Sequence, residues 1–353
     1  MKKEIIDITK DLMSFKTYKD NKYEFNKLFN YIKNKFNKLI IKEEIFKDNK
    51  CLILSNIDSY EFDLVFCCHV DVVDTDNWDI NEDKNNIYGR GSIDMKGGVA
   101  VSLATLNDYV GDLKVGVILT SDEEIDGYSC KKLLEKYSTK LAIIPDGGSN
   151  FDLIYEEKGL LQLELTLVGK SAHASQPWNG INAIDELYKV YKKIIKKYPL
   201  PKNSNDYKTS INLGMITGGS NINSVPDKCS MKLDIRYTSD TNKEEIIDFI
   251  KNINKDIDIN IVLESSIFKC DIKNKMISKY IDCSKIILNR DINVIGCESS
   301  SDAVYFYEKN IPTIIMNPVG GYPHGKGEFV NKKSLEDLYE IYSLFLKEVE
   351  IYD

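Results

Sequence analysis

Apolar and polar positions repeat with two different periods along this chain of 353 residues. The helical period is clear early in the chain, where Leu28, Ile32 and Phe36 fall on one face of a helix predicted over 23–37. A second kind of segment, 64–68, is apolar throughout, as expected for a strand that is buried on both faces of a sheet. The two patterns together predict a layered α/β protein.

Strands and helices alternate in the first and last parts of the chain, which is typical of a largely parallel sheet. Before residue 162, further helices are predicted at about 3–16, 94–109 and 128–137, and strands at 51–55, 115–120 and 141–144. After residue 272 the predicted elements are a helix at 274–288, a strand at 292–296, a helix at 302–309, a strand at 312–316 and a helix from about 332.

The segment that lies between the first and last parts has a different pattern of apolar and polar residues. Leu161 to Val168 alternates apolar and polar residues, as in a strand with one exposed face. The elements predicted next are a helix at 181–196, strands at 209–216 and 228–237, a helix at 242–254 and a strand at 258–264. This β-α-β-β-α-β order is the ferredoxin-like plan. We therefore predict an α/β domain, with a mostly parallel sheet flanked by helices, formed by 1–161 and 272–353 and interrupted by a smaller inserted domain at 162–271.

Composition narrows the function classes. The formal net charge of −8 argues against a nucleic-acid-binding surface, and no apolar run approaches the length of a membrane span. The N-terminal sequence does not resemble a signal peptide. Eight cysteines are scattered without C-x-x-C spacing, as expected for reduced thiols. The sequence predicts a soluble cytoplasmic protein without nucleic-acid or membrane partners.

The chain contains three histidines, and each lies at a strand end or in a Gly-rich loop. His69 follows the apolar run 64–68, His173 lies between Gly169 and Pro177, and His324 follows Gly320-Gly321-Tyr322-Pro323. Loops on a rigid scaffold are where catalytic and binding groups tend to lie. All three are therefore candidates for a functional site.

Acidic residues join these histidines at the same predicted edge. Ligands of open α/β sheets bind beyond the carboxyl ends of the strands. The residues expected at this edge are His69, Asp94, Glu123, Glu124, Asp146 and His324. Four carboxylates in a small volume repel one another unless a cation lies among them. Mixed imidazole and carboxylate ligands suit two zinc ions, with cobalt or manganese as alternatives.

Several motifs occur in an order that resembles one known family. They are His69-Val70-Asp71 with Trp78, the run 88–98 around Asp94, Ser121-Asp122-Glu123-Glu124, 169–177 with 180–183, 218–226, Leu233-Asp234-Ile235-Arg236, and Pro323-His324-Gly325 with Glu328. As a set they resemble the co-catalytic zinc metallopeptidases, which include acetylornithine deacetylases, succinyl-diaminopimelate desuccinylases, aminoacylases, carboxypeptidase G and di- and tripeptidases. The matches extend over nearly the whole chain.

The resemblance implies a di-zinc site with five protein ligands. Asp94 would bridge the two ions. His69 and Asp146 would complete one ion's coordination, while Glu124 and His324 would complete the other's. These assignments are carried over from the matching motifs.

The resemblance also implies roles in catalysis. Glu123 would be the general base that takes a proton from the metal-activated water. Asp71 would orient the ring of His69, a usual task for a carboxylate behind a metal ligand. His173 would help to stabilise the tetrahedral oxyanion. Arg236 would bind a substrate carboxylate through its planar fork.

Asn223 is a weaker candidate for binding substrate in the same cleft as Arg236. The resemblance to the co-catalytic zinc metallopeptidases also implies a homodimer, because members of that family often pair through the inserted domain. The resemblance leaves open whether His173 acts in its own subunit or in the partner's.

Three other charged residues carry weaker expectations. Asp122, directly before the glutamate pair, is expected to be a solvated loop acid without a role. Arg90 and Lys96 are expected to stabilise the acidic edge electrostatically. Asp74 and Gly327 stand where the family more often has proline and asparagine, which blurs the substrate assignment but removes no ligand.

The expected activity is hydrolysis of the amide bond of an N-acyl amino acid, of the deacetylase or desuccinylase type. A dipeptidase or other exopeptidase is the alternative, favoured by aspartate at position 146, where the deacetylase and desuccinylase branches commonly have glutamate. A non-catalytic relative would be expected to lack a ligand or the base, and none is missing. A serine or cysteine hydrolase is disfavoured because the sequence has no G-x-S-x-G motif.

Overall fold

The computed structural model describes residues 2–203 and 206–352, which divide into two compact units. The larger unit comprises the chain up to Tyr155, Cys270–Cys297 and the chain from Ser301 onward. The smaller unit comprises Glu156–Lys269 and Glu298–Ser300.

Helices occupy most of the segments that the helical period predicts. In chain order they are α1 (Lys2–Met13), α2 (Lys22–Lys35), α3 (Gly97–Asp108), α4 (Tyr128–Lys136), α5 (Ala183–Lys197), α6 (Lys243–Ile253), α7 (Lys275–Leu288), α8 (Ala303–Glu308) and α9 (Lys332–Glu348). A short helical turn lies at Pro177–Asn179, and Ser92–Lys96 forms an irregular turn that contains non-helical residues. Among the described residues, no helix combines the length and apolar character needed to cross a membrane.

Strands account for the remaining regular structure. They are β1 (Ile40–Phe46), β2 (Asn49–Ser55), β3 (Glu61–Phe62), β4 (Leu64–His69), β5 (Asn81–Glu82), β6 (Asn86–Tyr88), β7 (Val115–Thr120), β8 (Ser138–Thr139), β9 (Ala142–Ile144), β10 (Leu153–Glu157), β11 (Gly159–Val168), β12 (Ser210–Gly218), β13 (Lys228–Tyr237), β14 (Asp258–Ser265), β15 (Phe268–Lys269), β16 (Val294–Cys297), β17 (Thr313–Ile315), β18 (Gly320–Gly321) and β19 (Phe329–Asn331).

The larger unit is built around a six-stranded sheet in the order β1-β2-β7-β4-β9-β17. Four neighbouring strands of this sheet, β7, β4, β9 and β17, are parallel. Every residue of β4 and β7 is buried, as their apolar sequences predict. Helices α1, α3 and α9 contact one another, and α3 is buried from Gly97 to Leu106. The predicted α/β fold with a mostly parallel sheet is confirmed.

The antiparallel edge of this sheet was not predicted. A two-residue turn, Lys47-Asp48, joins β1 to β2, and both turn residues have positive φ, of 47° and 74°. Two-residue hairpin turns favour positive φ because their twist then matches that of the strands. Glycine or asparagine usually marks such turns, so Lys47-Asp48 offers little signal in the sequence.

The smaller unit has a four-stranded antiparallel sheet in the order β12-β13-β11-β14. Along β11, the leucines at 161, 163, 165 and 167 are buried against the helices, while the residues between them are not fully buried. Helix α5 begins after Asn182, whose side chain accepts hydrogen bonds from the backbone N–H groups of Ile184 and Asp185. The predicted ferredoxin-like order of elements is confirmed.

Two elements differ from their predictions. The helix predicted to begin at Asp94 begins at Gly97 instead, because Asp94 has extended φ and ψ values of −123° and 94° and lies in a tight turn. The strand predicted at 292–296 is β16, which lies outside the six-stranded sheet. In both cases the residue types fit the predicted element, and tertiary packing decided otherwise.

Candidate metal centre

Five ligand candidates gather at one edge of the larger unit. His69 is the last residue of β4, Glu124 lies in the loop after β7, and Asp146 follows β9. Because β4, β7 and β9 are parallel neighbours, the loops at their carboxyl ends meet. Asp94 comes from the turn before α3, and His324 from the loop after β18.

These side chains form two groups that share Asp94. In the first, His69 Nε2 lies 3.1 Å from Asp94 Oδ1 and 3.9 Å from Asp146 Oδ2. In the second, His324 Nε2 lies 2.9 Å from Asp94 Oδ2 and 3.1 Å from Glu124 Oε1. Within each group the candidate ligand atoms all lie within 4.8 Å of one another. One aspartate thus presents each of its oxygens to a different histidine.

The donor set fits divalent cations. His69 Nε2 and Glu124 Oε1 are buried, yet neither makes a hydrogen bond in the part of the chain that the structure describes. A buried polar atom without a partner is costly, so its presence calls for a bonding partner such as a metal ion. Imidazole and carboxylate ligands are also the combination that zinc and similar cations accept.

The acids of the site raise the pKa values of both histidines. The nearby carboxylates of Asp94 and Glu124 raise the pKa of His324 to about 10. Burial lowers the pKa of His69, but Asp71, Asp94 and Glu123 outweigh it and raise the pKa well above its usual range. Burial and the charge of Asp94 raise the pKa of Asp146 to about 6. In the absence of a cation, His324 is therefore protonated at neutral pH, and the neighbouring acids favour the protonated form of His69 as well.

Metal affinity should rise with pH, because each histidine must lose its proton before it can bind a cation. Each displaced proton contributes a factor of about ten per pH unit below the pKa of its group. Each ligand group contains one histidine, so we expect the affinity of the Asp94–Glu124–His324 group for its cation to increase by about tenfold per unit between pH 6 and 8. Calorimetric titration of metal-free protein in buffers of different ionisation enthalpy would count the protons released. Affinity that does not change over this range would contradict the expectation.

Glu123 directly precedes the ligand candidate Glu124 along the chain and belongs to neither ligand group. Burial raises the pKa of its carboxyl well above the usual range; Asp146, Asp302 and Asp71 add to this effect, whereas His69 opposes it. A carboxyl group with a raised pKa can both accept and return a proton near neutral pH. This environment is suited to a general base.

Asp71 connects two of the ligand candidates. Its backbone carbonyl lies 2.9 Å from His69 Nδ1, and its carboxylate Oδ1 lies 3.5 Å from the same nitrogen. Its other oxygen, Oδ2, accepts a hydrogen bond of 2.9 Å from the backbone N–H of Glu124. Asp71 therefore orients the imidazole and also fixes the start of the Glu124 loop.

The expectation for Asp122 is wrong. Its side chain is fully buried, and its Oδ2 accepts hydrogen bonds from Asn49 Nδ2 and from the backbone N–H and hydroxyl of Ser129. Its backbone carbonyl accepts from Asp126 and Gly127. Asp122 thus ties together the loop that carries the glutamate pair. Its neighbours along the chain gave no sign of the donor from Asn49, which lies 73 residues away.

Arg90 and Lys96 are both buried, and they make different contacts. Arg90 Nη1 forms an ion pair of 2.6 Å with Glu328, and Nη2 donates to the backbone carbonyl of His324 at 2.8 Å. Lys96 Nζ donates to the carbonyl of Phe15 at 2.7 Å, and burial lowers its pKa to about 7. Arg90 therefore contacts the loop of a ligand candidate directly, whereas Lys96 joins α3 to the N-terminal region.

Asp302 is a buried acid that the sequence analysis did not select. Its Oδ2 accepts a hydrogen bond of 3.4 Å from the hydroxyl of Thr120, at the end of β7. Burial raises the pKa of Asp302 to about 8. An acid directly before a short helix is usually a cap, so its position alone could not reveal this proximity to β7.

His173 and Asn223 lie together on the smaller unit. The backbone N–H of Ala174 donates to the carbonyl of Asn223, and His173 forms a β-bridge with Ser224. The Nδ1 atom of His173 accepts a hydrogen bond from the backbone N–H of Ser175, so a neutral ring carries its proton on Nε2. The exposed ring can therefore donate from Nε2.

Arg236 lies on β13 of the same unit. Its Nε donates to Asp234 Oδ1 at 2.9 Å, and its side chain is 37% exposed. The pair with Asp234 holds the guanidinium in place while leaving part of it accessible. The site candidates are therefore distributed over both units: the ligand candidates and Glu123 belong to the larger unit, and His173, Asn223 and Arg236 to the smaller one.

Comparison with known proteins supports the resemblance seen in the sequence. A family model described as the M20 peptidase dimerisation domain matches residues 155–262. A probable succinyl-diaminopimelate desuccinylase from Staphylococcus aureus strain N315 is 28% identical, over 99% of this chain and 97% of the relative. A [LysW]-lysine/[LysW]-ornithine hydrolase from Saccharolobus solfataricus is 29% identical, over 78% of this chain and 76% of the relative.

Solved structures show the same fold. The crystal structure of aminopeptidase PepT from Bacillus cereus ATCC 10987 superimposes with a TM-score of 0.80 over 99% of this chain and 98% of the other, at 19% identity. The match supports the α/β architecture with its additional domain. The predicted resemblance to the metallopeptidase family that includes the succinyl-diaminopimelate desuccinylases is confirmed.

Proposed function

We propose that this chain, an M20-type metal-dependent amide hydrolase, cleaves the amide bond of N-acyl amino acids that carry a free carboxylate. The reaction would be of the deacetylase or desuccinylase type, and the preferred cofactor would be two zinc ions, with cobalt or manganese as alternatives. The observation that carries the proposal is the pair of ligand groups sharing Asp94, together with Glu123, whose pKa is raised by burial and which interacts electrostatically with Asp146 and His69.

The five ligand candidates would hold the two cations. His69 and Asp146 would bind one, Glu124 and His324 the other, and Asp94 both. When bound, such cations supply Lewis acidity that polarises the scissile carbonyl and makes water more acidic. The arrangement offers three ligand residues to each cation, which is the number typical of catalytic sites that keep a position open.

Glu123 would move the proton. As a carboxylate it accepts a proton from the attacking water, and as a carboxylic acid it can return that proton to the departing amine. Asp71 would keep His69 in the orientation that points Nε2 towards Asp94, because Nδ1 faces the carbonyl of Asp71.

The smaller unit would bind the rest of the substrate. The Nε2–H of His173 would donate a hydrogen bond to the oxyanion, and the fork of Arg236 would bind the substrate carboxylate. Asn223, whose loop contacts that of His173, would contribute a further polar contact. We propose that the segment 162–271 serves as a lid and dimerisation domain, and that 1–161 and 272–353 form the catalytic domain.

A homodimer is part of this proposal. The match to a peptidase dimerisation domain covers the smaller unit, which supports pairing through that unit. The expected mass in solution is twice the chain mass of 40.4 kDa. Light scattering that gives the monomer mass at every concentration would contradict it. The cysteines occur as thiols rather than as disulfides, which fits the cytoplasmic location that we also propose.

The relatives and the site support the proposed substrate class. One relative is named for removing succinyl from diaminopimelate, which makes its substrate an acylated amino acid, and the other is named for hydrolysing [LysW]-lysine and [LysW]-ornithine. A dipeptidase or other exopeptidase is the second candidate, because the fifth ligand candidate is Asp146 where the deacetylase and desuccinylase branches commonly have glutamate. A non-catalytic role is disfavoured because the ligand set and the base are all present.

A substrate panel tests the proposal. The protein would be freed of metal, loaded with zinc, cobalt or manganese, and assayed on succinyl-diaminopimelate, acetyl-ornithine, acetylated amino acids, dipeptides and tripeptides. We expect the highest kcat/KM on an N-acyl amino acid and no activity without metal. A preference for dipeptides or tripeptides would favour the exopeptidase. Inactivity on every substrate would contradict the proposed function.

A further inference from the structure

Arg90 and Glu328 form a buried ion pair next to the ligand candidates. Relative exposure is 8% for Arg90 and 2% for Glu328. Arg90 Nη1 lies 2.6 Å from Glu328 Oε2. A buried pair of this kind adds little net stability, because desolvation offsets most of the attraction. The pair is therefore more important for the positions of the groups that it contacts than for the stability of the fold.

Arg90 holds the loop of His324. Its Nη2 donates a 2.8 Å hydrogen bond to the backbone carbonyl of His324. This loop needs support, because His324 and Tyr322 both have left-handed φ values, of 61° and 58°. Such conformations in non-glycine residues persist only where the surroundings impose them. The His324 side chain is also 53% exposed, so packing on the imidazole does little to fix it.

Glu328 holds the turn of Asp94. Its Oε1 accepts hydrogen bonds from the backbone N–H groups of Ile93, at 3.2 Å, and Asp94, at 3.3 Å. The backbone of Asp94 is extended rather than helical, so no helical hydrogen bond fixes that N–H. The carbonyl of Glu328 also accepts from the backbone N–H of Gly89 at 2.9 Å, which anchors the segment on the other side of Arg90.

The contacts of Arg90 and Glu328 both bear on the distance between His324 and Asp94. His324 Nε2 lies 2.9 Å from Asp94 Oδ2, and the ion pair links the backbones of both residues. We propose that Arg90 and Glu328 are positioning residues that set the separation of His324 and Asp94 and so determine the affinity of the Asp94–Glu124–His324 group for its cation. This inference rests on the proposed function, because it takes that group to be a metal site.

The test is calorimetric titration of metal-free Arg90→Met with zinc, together with cobalt titration followed by visible absorption. Methionine has similar length but makes neither hydrogen bond. We expect affinity at the Asp94–Glu124–His324 group to fall by about 10- to 100-fold, the range for losing a residue that supports a ligand. We expect affinity at the His69–Asp94–Asp146 group to change less. Titrations of His324→Ala and Asp146→Ala identify which binding event belongs to which group.

Lys332→Met is the matched control. Lys332 Nζ also bridges a carboxylate, Glu82 at 2.7 Å, and a backbone carbonyl, that of Asp83 at 2.6 Å, but neither partner is a ligand candidate. This variant should bind both cations as the wild type does. Arg90→Lys provides a second variant if Arg90→Met does not fold. An ammonium group cannot reproduce the planar fork of a guanidinium, so we expect Arg90→Lys to have reduced cation affinity at the Asp94–Glu124–His324 group as well.

The outcomes separate this inference from the proposed function. A folded Arg90→Met protein with wild-type affinity at both groups would overturn the inference and leave the proposed function standing. Full affinity in Arg90→Lys, when Arg90→Met does not fold, would overturn it equally. A wild-type protein that binds no divalent cation would overturn the proposed function, and the inference with it. Selective weakening at the His324 group, absent from Lys332→Met, would support the inference.

Discussion

Glu123→Gln is expected to lower the rate of amide hydrolysis by about 100- to 10,000-fold, the usual contribution of a general base. Glutamine has nearly the same shape but cannot accept a proton from water. Glu123 belongs to neither ligand group, so the variant should keep the metal content of the wild type. Steady-state kinetics on the best substrate of the panel, with metal analysis of the same sample, would measure both quantities.

Asp126→Asn provides a control in the same loop. Asp126 is 52% exposed, and its Oδ1 accepts a hydrogen bond from the backbone N–H of Tyr128, which an asparagine can also accept. The activity of Asp126→Asn should therefore match that of the wild type. If Glu123→Gln retained wild-type kcat with full metal content, Glu123 would not be the base. If it lost metal as well as activity, Glu123 would act as a ligand.

Asp94→Ala is expected to release metal from both groups, because Asp94 is the residue that the groups share. His324→Ala should affect one group only, and Asp146→Ala the other. Loss of a ligand should weaken binding by more than about 100-fold, the upper end of the range for residues that merely support ligands. Metal analysis after dialysis against a fixed free-metal concentration would give the number of ions that each variant retains.

The contrast among these three variants is the informative result. Asp94→Ala should retain the fewest ions and have the lowest kcat, while each single-group variant should retain the ion of the other group. Circular dichroism of all three would show whether the fold is kept. If Asp94→Ala retained two ions, or if His324→Ala lost both, the two groups would not be the sites that the structure suggests.

Much of the fold could be predicted from local patterns. Strand β4 is apolar at every position before His69, and β11 alternates strictly, so each pattern identifies the kind of sheet to which the strand belongs. Local patterns did not reveal the hairpin at Lys47-Asp48 or the start of α3 at Gly97. Both depend on backbone conformations that the residue types there do not favour or require.

The candidate site shows the same division. The ligand candidates follow strand ends or Gly-rich segments, so the sequence could bring them to one edge of the sheet. Asp122 and Asp302 were misjudged or missed, because their partners, Asn49 and Thr120, lie 73 and 182 residues away along the chain. Nothing in the residues next to an acid reveals a donor that arrives from another element.

The sequence by itself determined the chemical composition of this site, because imidazole and carboxylate groups at strand ends limit what the edge of the sheet can bind. Only the tertiary structure decided how those groups divide. It made Asp94 the shared residue of two groups, and it brought Arg90 and Glu328 between the loops of two ligand candidates. The reason is physical: residue types set which bonds are possible, but distances of about 3 Å between residues far apart in sequence arise only when the whole chain packs.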